Sequence, residues 1–276
     1  MKFGIMSLDF KRLPLAQCFE LARDYGFHGL EIFGCRSHLY PGDFSTELCK
    51  KILSYQEKYQ IEVPMYTPNV LNLPLCICSP NERERQDGVK FYKKAVDIAS
   101  QINAKGVLVV ADHPGYTTPR REVWAYLVES MKEICTYAQG KGVQVTIEPL
   151  TPMESPIITT VDDCVELIED VNDDVLYAMM DIVPPVVVQE PFSKYFNMLS
   201  DRLSYIHISN TDGKTDAHTR LDEGVLPLID VIEVFKRHKF SGFVTAELYS
   251  ENYRDPELIL ANTARILRDI RKELDL

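Results

Sequence analysis

Val143-Gln144-Val145-Thr146-Ile147-Glu148 is a short β-branched run that stops on a carboxylate, and the pattern recurs three more times in the chain. Residues 176–181 end on Asp181, residues 203–207 on His207 and residues 243–247 on Glu247. Runs of this length and composition read as strands. The terminal residues are 33, 26 and 40 positions apart (148 to 181, 181 to 207, 207 to 247), room for one helix and short loops each time. Strands connected in that way are parallel, so all four side chains emerge at the carboxyl end of one sheet. A charged group directly after Thr146-Ile147, or after Ala178-Met179-Met180, is costly to bury unless it is paired or metal-bound. Three carboxylates and one imidazole suit a hard or borderline divalent cation such as Mn²⁺, Mg²⁺ or Co²⁺.

Working outward, residues 3–8, 29–33, 63–66 and 106–111 supply four earlier strand candidates. Val107-Leu108-Val109-Val110-Ala111 is continuously apolar, as expected of a strand covered on both faces. Helical periodicity fills the intervals: Leu15, Phe19, Ala22 and Tyr25, then Phe91, Ala95, Ile98 and Ile102, then Leu127, Met131, Ile134 and Ala138. A last helix is expected over residues 256–274. Gly26, Gly140 and Gly142 punctuate helix ends, and Thr159 or Thr160 is placed to cap a helix over 161–168, with Asp162 and Asp163 in its first turn. Eight strands alternating with helices predict an α/β chain, a single-domain (β/α)8 TIM barrel spanning residues 1–276. A doubly wound nucleotide-binding sheet requires a glycine-rich turn after the first strand, where Ser7-Leu8-Asp9 stands instead.

Thirty basic and 41 acidic residues give 276 residues a formal charge of −11, which disfavours nucleic acid as a partner. No apolar run approaches the length needed to span a bilayer, so no membrane association is expected. The N-terminus lacks the apolar core of a signal peptide, and the seven scattered cysteines form no disulfide framework; a cytoplasmic location is expected. Cys76 and Cys78 read as ordinary thiols.

Further residues stand near the predicted strand ends and are candidates to line the pocket and bind substrate. Glu154 lies in a proline-stiffened loop six positions beyond Glu148, and His113 directly follows the fourth strand. His38, with Arg36 beside it, follows the second strand; Tyr66 closes the third, with Pro68 nearby; His218 sits in the long polar loop after His207. His28 and His238 fall at strand starts, on the opposite rim, where structural or solvated roles are expected. Trp124 is expected to pack a helix.

These residues carry a resemblance to a known family. Glu148-Pro149-Leu150, the acid of Met180-Asp181-Ile182, His207-Ile208 and the Glu247 strand end resemble the xylose-isomerase-like superfamily of divalent-metal sugar isomerases and epimerases. Gly29-Leu30-Glu31-Ile32-Phe33-Gly34, Arg36-Ser37-His38, Tyr66-Thr67-Pro68 and His113-Pro114-Gly115-Tyr116 narrow the resemblance to the ketose 3-epimerases, most closely the fructoselysine 3-epimerases. So do the stretch from Glu148 to Ser155 and the loop from Asp212 to His218. The resemblance implies that Glu148, Asp181, His207 and Glu247 hold one divalent ion, Mn²⁺ foremost, with Mg²⁺, Co²⁺, Ni²⁺ and Zn²⁺ compatible. It implies a small-molecule ketose or Amadori-type sugar–amine as substrate. It also implies Glu148 and Glu247 as the acid–base pair at C3, acting through a cis-enediolate, with Glu154 bonding the sugar. Oligomeric family members make a homo-oligomer an expectation.

Two departures bear on the substrate. The free-ketohexose epimerases carry a histidine three residues after the metal aspartate and an arginine six residues after the metal histidine; this chain has Pro184 and Gly213. Arg220, further along the loop, is a candidate to reach the same space. The departures favour a C1-substituted ketose such as fructoselysine, interconverted with psicoselysine, over a free D-ketohexose of the tagatose or psicose type. An aldose–ketose or hydroxypyruvate-type isomerase shares the metal and the enediolate. Outside that class stand an abasic-site endonuclease, suggested by Asp216 and His218 but opposed by Pro184 and the net charge, and a non-catalytic metal- or sugar-binding barrel.

Overall fold

The computed structural model describes residues 1–71, 73–248 and 255–276. Eight parallel strands close into a barrel in sequential order: β1 Lys2–Met6, β2 Gly29–Gly34, β3 Met65–Pro68, β4 Gly106–Val109, β5 Gln144–Ile147, β6 Leu176–Asp181, β7 Leu203–Ile208 and β8 Phe243–Ala246. The described helices are α1 Leu15–Asp24, α2 Thr46–Tyr59, α3 Glu82–Gln101, α4 Arg120–Ala138, α5 Val161–Val171, α6 Val183–Val187, α7 Phe192–Leu199, α8 Leu228–Arg237 and α9 Pro256–Glu273. The expected α/β TIM barrel is therefore the observed fold.

Strand boundaries differ from the sequence reading by one or two residues at several ends. The first strand stops at Met6 and turns into a 3-10 segment over Ser7–Phe10, while the third starts at Met65 rather than at residue 63. Glu148 and Glu247 each lie one residue past their strand, yet their amides still donate to Val109 and Ile208 carbonyls of the neighbouring strands, at 3.0 and 3.1 Å. The ladder continues in hydrogen bonding where regular strand geometry has ended.

Helix ends follow local chemistry. Gly26 takes φ +78°, a left-handed conformation that relieves α1 of its last turn and launches β2. Thr160 caps α5 by accepting from the Asp163 amide, and the Asp163 carboxylate accepts in return from the Thr160 amide at 3.0 Å. Trp124 packs between α4 and α5, its indole N–H donating to Asp170. Cys76 and Cys78 lie buried with sulfurs 3.5 Å apart, both directed at the Ala111 carbonyl. No helix among the described residues is long and apolar enough to cross a membrane.

Apolar side chains from strands and helices form one continuous core. Inside the barrel, towards the carboxyl ends of the strands, a polar layer replaces it: Glu31, Thr67, Glu148, Asp181, His207 and Thr245 are all buried. Strand register sets the level of this layer, since Asp181 pairs with His207 and His207 with Thr245.

The reciprocal cap at Thr160 gives a stability test. Thr160→Ala lowers unfolding free energy by about 1 kcal/mol, read as a lower urea midpoint; a midpoint equal to the parent's would show that the cap adds nothing measurable.

Candidate metal centre

Strands β5 to β8 deliver one donor each. Ligand atoms of Glu148, Asp181, His207 and Glu247 all lie within 4.8 Å of one another, the convergence expected from the strand-end pattern. His207 is at the centre. Its Nδ1 lies 2.8 Å from Glu247 Oε2 and 3.1 Å from Glu148 Oε1, while its Nε2 meets Glu31 Oε2 at 2.9 Å. Asp181 is held at both oxygens: Oδ1 accepts from the Val183 amide at 2.8 Å and Oδ2 pairs with His218 Nε2 at 2.7 Å.

Such crowding shows in the acid–base properties of the metal-free chain. Burial disfavours charge on His207, but Glu31 and Glu247 outweigh it and hold the imidazole well above its ordinary range. Burial likewise opposes charge on His218, and Asp181 overcomes it, so its value is raised as well. Glu148 is pushed up to about 7 by burial, against the pull of His207. Glu247 moves the other way, to about 2, because His207 and His218 outweigh its burial.

Of the further residues read from the sequence, Glu154 and His218 reach this centre. Glu154 accepts from the Thr151 amide and hydroxyl and faces Asp216 and Glu148; burial and these two acids raise it to about 8. His218 is buried and buttresses Asp181, its Nδ1 meeting the Asp216 carbonyl at 3.0 Å. His113 lies on the loop after β4, its Nδ1 accepting from the Gly115 amide and its ring set against the exposed Tyr116.

Four side chains are occupied elsewhere. His38 is buried against the first strand's turn, bonded to the Ser7 hydroxyl at 3.0 Å and the Leu13 carbonyl at 3.1 Å. Tyr66 is fully buried and donates to the Leu39 carbonyl, which makes it a core residue rather than a pocket wall. Arg36 is 76% exposed and pairs with Asp43. Arg220 turns to Asp222 and Glu223 instead of reaching towards Gly213. In each case a nearer hydrogen-bond partner outcompetes the longer reach into the barrel mouth.

Two buried acids were not singled out from the sequence. Glu31 sits inside β2, fully buried, with the Thr67 hydroxyl donating to its second oxygen. Asp9 lies in the turn after β1 and accepts from the Leu248 amide at 3.0 Å; its other oxygen is buried and has no partner among the described residues. Burial, then the charges of Glu247 and Glu31, push Asp9 well above the carboxylate range. The signal for Glu31 was a lone charge within Gly29-Leu30-Glu31-Ile32-Phe33, a position that demands a buried partner. The opposite rim behaves as read: His28 accepts from the Phe3 amide, and His238 stacks on Phe196 at 4.8 Å beside a cavity of about 460 Å³ at the strand starts.

The raised Glu154 carboxyl predicts a pH dependence. In the unfolded chain this group ionises near about 4.3, whereas folded, metal-free protein holds the proton to about 8. Between those values the unfolded chain binds fewer protons, so this contribution to stability is complete at low pH and is lost as pH rises through about 8. Glu154→Gln removes it: the metal-free variant's Tm falls less than the parent's between pH 4.5 and pH 8.5, and parallel curves would assign the slope to other groups.

The family described as xylose isomerase-like TIM barrel matches residues 19–270. A fructoselysine 3-epimerase of Shigella flexneri is 33% identical over 258 residues, covering 94% of each chain. Among solved structures, a D-tagatose 3-epimerase-like protein superposes with a TM-score of 0.85 at 20% identity, covering 100% of this chain and 98% of that one. The D-psicose 3-epimerase of Clostridium cellulolyticum H10 gives 0.84 at 17%, covering 99% of each. At those identities the likeness of structures is one of fold. The extent of the family match and the identity to the Shigella enzyme place this chain in the xylose isomerase-like TIM-barrel family.

Proposed function

We propose that this protein is a divalent-metal-dependent ketose 3-epimerase whose substrate is a C1-substituted ketose of the fructoselysine type. One observation carries the reading: four donors of the right chemistry converge at the carboxyl end of the barrel, in a chain related along 94% of its length to a fructoselysine 3-epimerase. Three carboxylate oxygens and an imidazole nitrogen fit Mn²⁺, and the same set accepts Mg²⁺, Co²⁺, Ni²⁺ or Zn²⁺. When bound, the ion supplies Lewis-acid stabilisation of the negative charge that develops on the C2 oxygen of the ketose.

The remaining work falls to side chains. Glu148 enters from β5 and Glu247 from β8, so the two carboxylates approach the centre from either side of the β6–β7 pair. One takes the C3 proton and the other delivers a proton to the opposite face, which inverts C3 with no net change in the sugar's atoms. The two groups finish with exchanged protonation and are reset by solvent. Glu154, beside Glu148, accepts a hydrogen bond from a sugar hydroxyl. His218 holds Asp181 in place. His113, on the loop after β4, contacts the outer part of the substrate.

The preference for a C1 substituent rests on the wall formed by α6 and the loop after β7. Pro184 lies in α6, and Gly213 takes φ +74°, where a side chain is strained. A Cβ at Gly213 would come 3.2 Å from Val225 and 3.9 Å from Val186. Neither Pro184 nor Gly213 carries a side chain that could donate to a compact free sugar. The chain's acidity also favours a substrate that carries an ammonium group over a phosphorylated one.

Solvent exchange tests the reading. Mn²⁺-loaded protein in D₂O incorporates deuterium at C3 of fructoselysine and forms its C3 epimer, while D-fructose and D-tagatose turn over poorly. Glu148→Gln or Glu247→Gln lowers the rate about 10²- to 10⁴-fold. Exchange with the free ketoses alone would move the protein to the free-sugar epimerases, and no exchange with any of the three would exclude C3 epimerisation of this set.

A further inference from the structure

Among the described residues, Glu31 is the acid in direct contact with His207 that lies behind the ring rather than among the four converging donors. It enters from β2, across the barrel from β7, and is fully buried. Burying a carboxylate costs several kcal/mol unless its oxygens are satisfied, and here both are. Oε1 accepts from the Thr67 hydroxyl of β3, and Oε2 meets His207 Nε2 at 2.9 Å. The Tyr205 hydroxyl, beside Thr245, also approaches Glu31. The ring of Tyr205 stands edge-on to the imidazole, with centroids 5.6 Å apart at 77°, so the plane of His207 is held as well as its rotation about the ring axis.

This arrangement gives the two ring nitrogens different work. Nε2 faces the Glu31 carboxylate, an acceptor, so it carries a proton. Nδ1 faces Glu247 and Glu148, inside the four-donor cluster. We propose that Glu31 is a positioning residue that fixes the His207 tautomer and aims Nδ1 at the ion, with Thr67 orienting Glu31 in turn. A carboxylate bonded to the far nitrogen of a metal histidine fixes ring orientation and raises ligand basicity. An apolar residue at position 31 would fill the same space without either effect. The inference rests on the metal-centre reading of the proposed function.

Metal affinity and ring spectroscopy test it separately from turnover. The parent chain, stripped with chelator, takes up one equivalent of Mn²⁺ by isothermal titration. Glu31→Gln retains one equivalent but binds it about 10- to 100-fold more weakly, and Thr67→Val weakens it less. In Zn²⁺-loaded parent protein with ¹⁵N-labelled histidine, long-range ¹H–¹⁵N spectra show His207 metallated at Nδ1 and protonated at Nε2, a measurement that needs no variant to fold. Unchanged affinity in a folded Glu31→Gln protein, or metallation at Nε2, would overturn the role of Glu31 and leave the metal centre standing. A folded parent that binds no ion would overturn both.

Discussion

Like charges forced together in a space with little water are the constraint on which this barrel mouth depends. Glu31, Glu148 and Glu247 all lie within 3.1 Å of one imidazole, and Asp181 is paired with a second. At about 4 Å and an effective dielectric near 20, each pair of like charges opposes the other by about 4 kcal/mol. Without an ion, the cluster relieves that repulsion by holding protons more tightly: His207 and His218 are raised well above the ordinary imidazole range, and Glu148 is raised to about 7. A divalent cation meets the same demand with two charges at one point and frees those protons. The chemistry of the site and the electrostatic cost of building it are therefore one problem.

A rigid frame is needed to keep such groups from drifting apart. The closed sheet supplies it, because register fixes Asp181 opposite His207 and His207 opposite Thr245. A register shift between Ala178 and Met179 sits just below this level in β6. Outer contacts then lock the donors: the Val183 amide and His218 on Asp181, Glu31 on His207, and Asp9 on the backbone just after Glu247. Sites supported by strands and a second layer of hydrogen bonds hold their geometry more closely than sites on loops alone.

How much of this was legible in the sequence depends on where each charge sits in its strand. Glu148, Asp181, His207 and Glu247 close apolar runs, and a charge that ends a run declares both its depth and its direction. The caps at Gly26 and Thr160 were equally plain, because they depend only on local backbone chemistry. Glu31 was harder to place, since it interrupts a run and its partner His207 lies 176 residues away. Side chains beyond the strand ends were the least legible. His38 follows β2 just as His113 follows β4, yet Ser7 and the Leu13 carbonyl draw it into the core. Tyr66 belongs to the observed third strand, but its hydroxyl is taken by Leu39. Those outcomes turn on which long-range acceptor stands within reach, which a strand pattern does not encode.

The layered arrangement also separates two tasks that a smaller site would have to combine. Ionic demands are met by residues on β2 and β5 to β8, deep in the barrel, where any change disturbs the charge balance of the whole cluster. Different segments surround that layer: the proline-rich turn bearing Glu154, the short α6 with the buried Pro184, and the loop carrying Gly213 and the buried His218. Gly213, with its positive φ and close approach to Val225, cannot take on a long cationic side chain without strain. The backbone conformation of this loop therefore restricts which side chains it can present, while the four converging donors are set at strand ends. His218 is the link between the two, a loop residue whose ring supports the strand-borne Asp181. A change in loop conformation reaches the donor cluster through that contact, and through Asp216 beside Glu154.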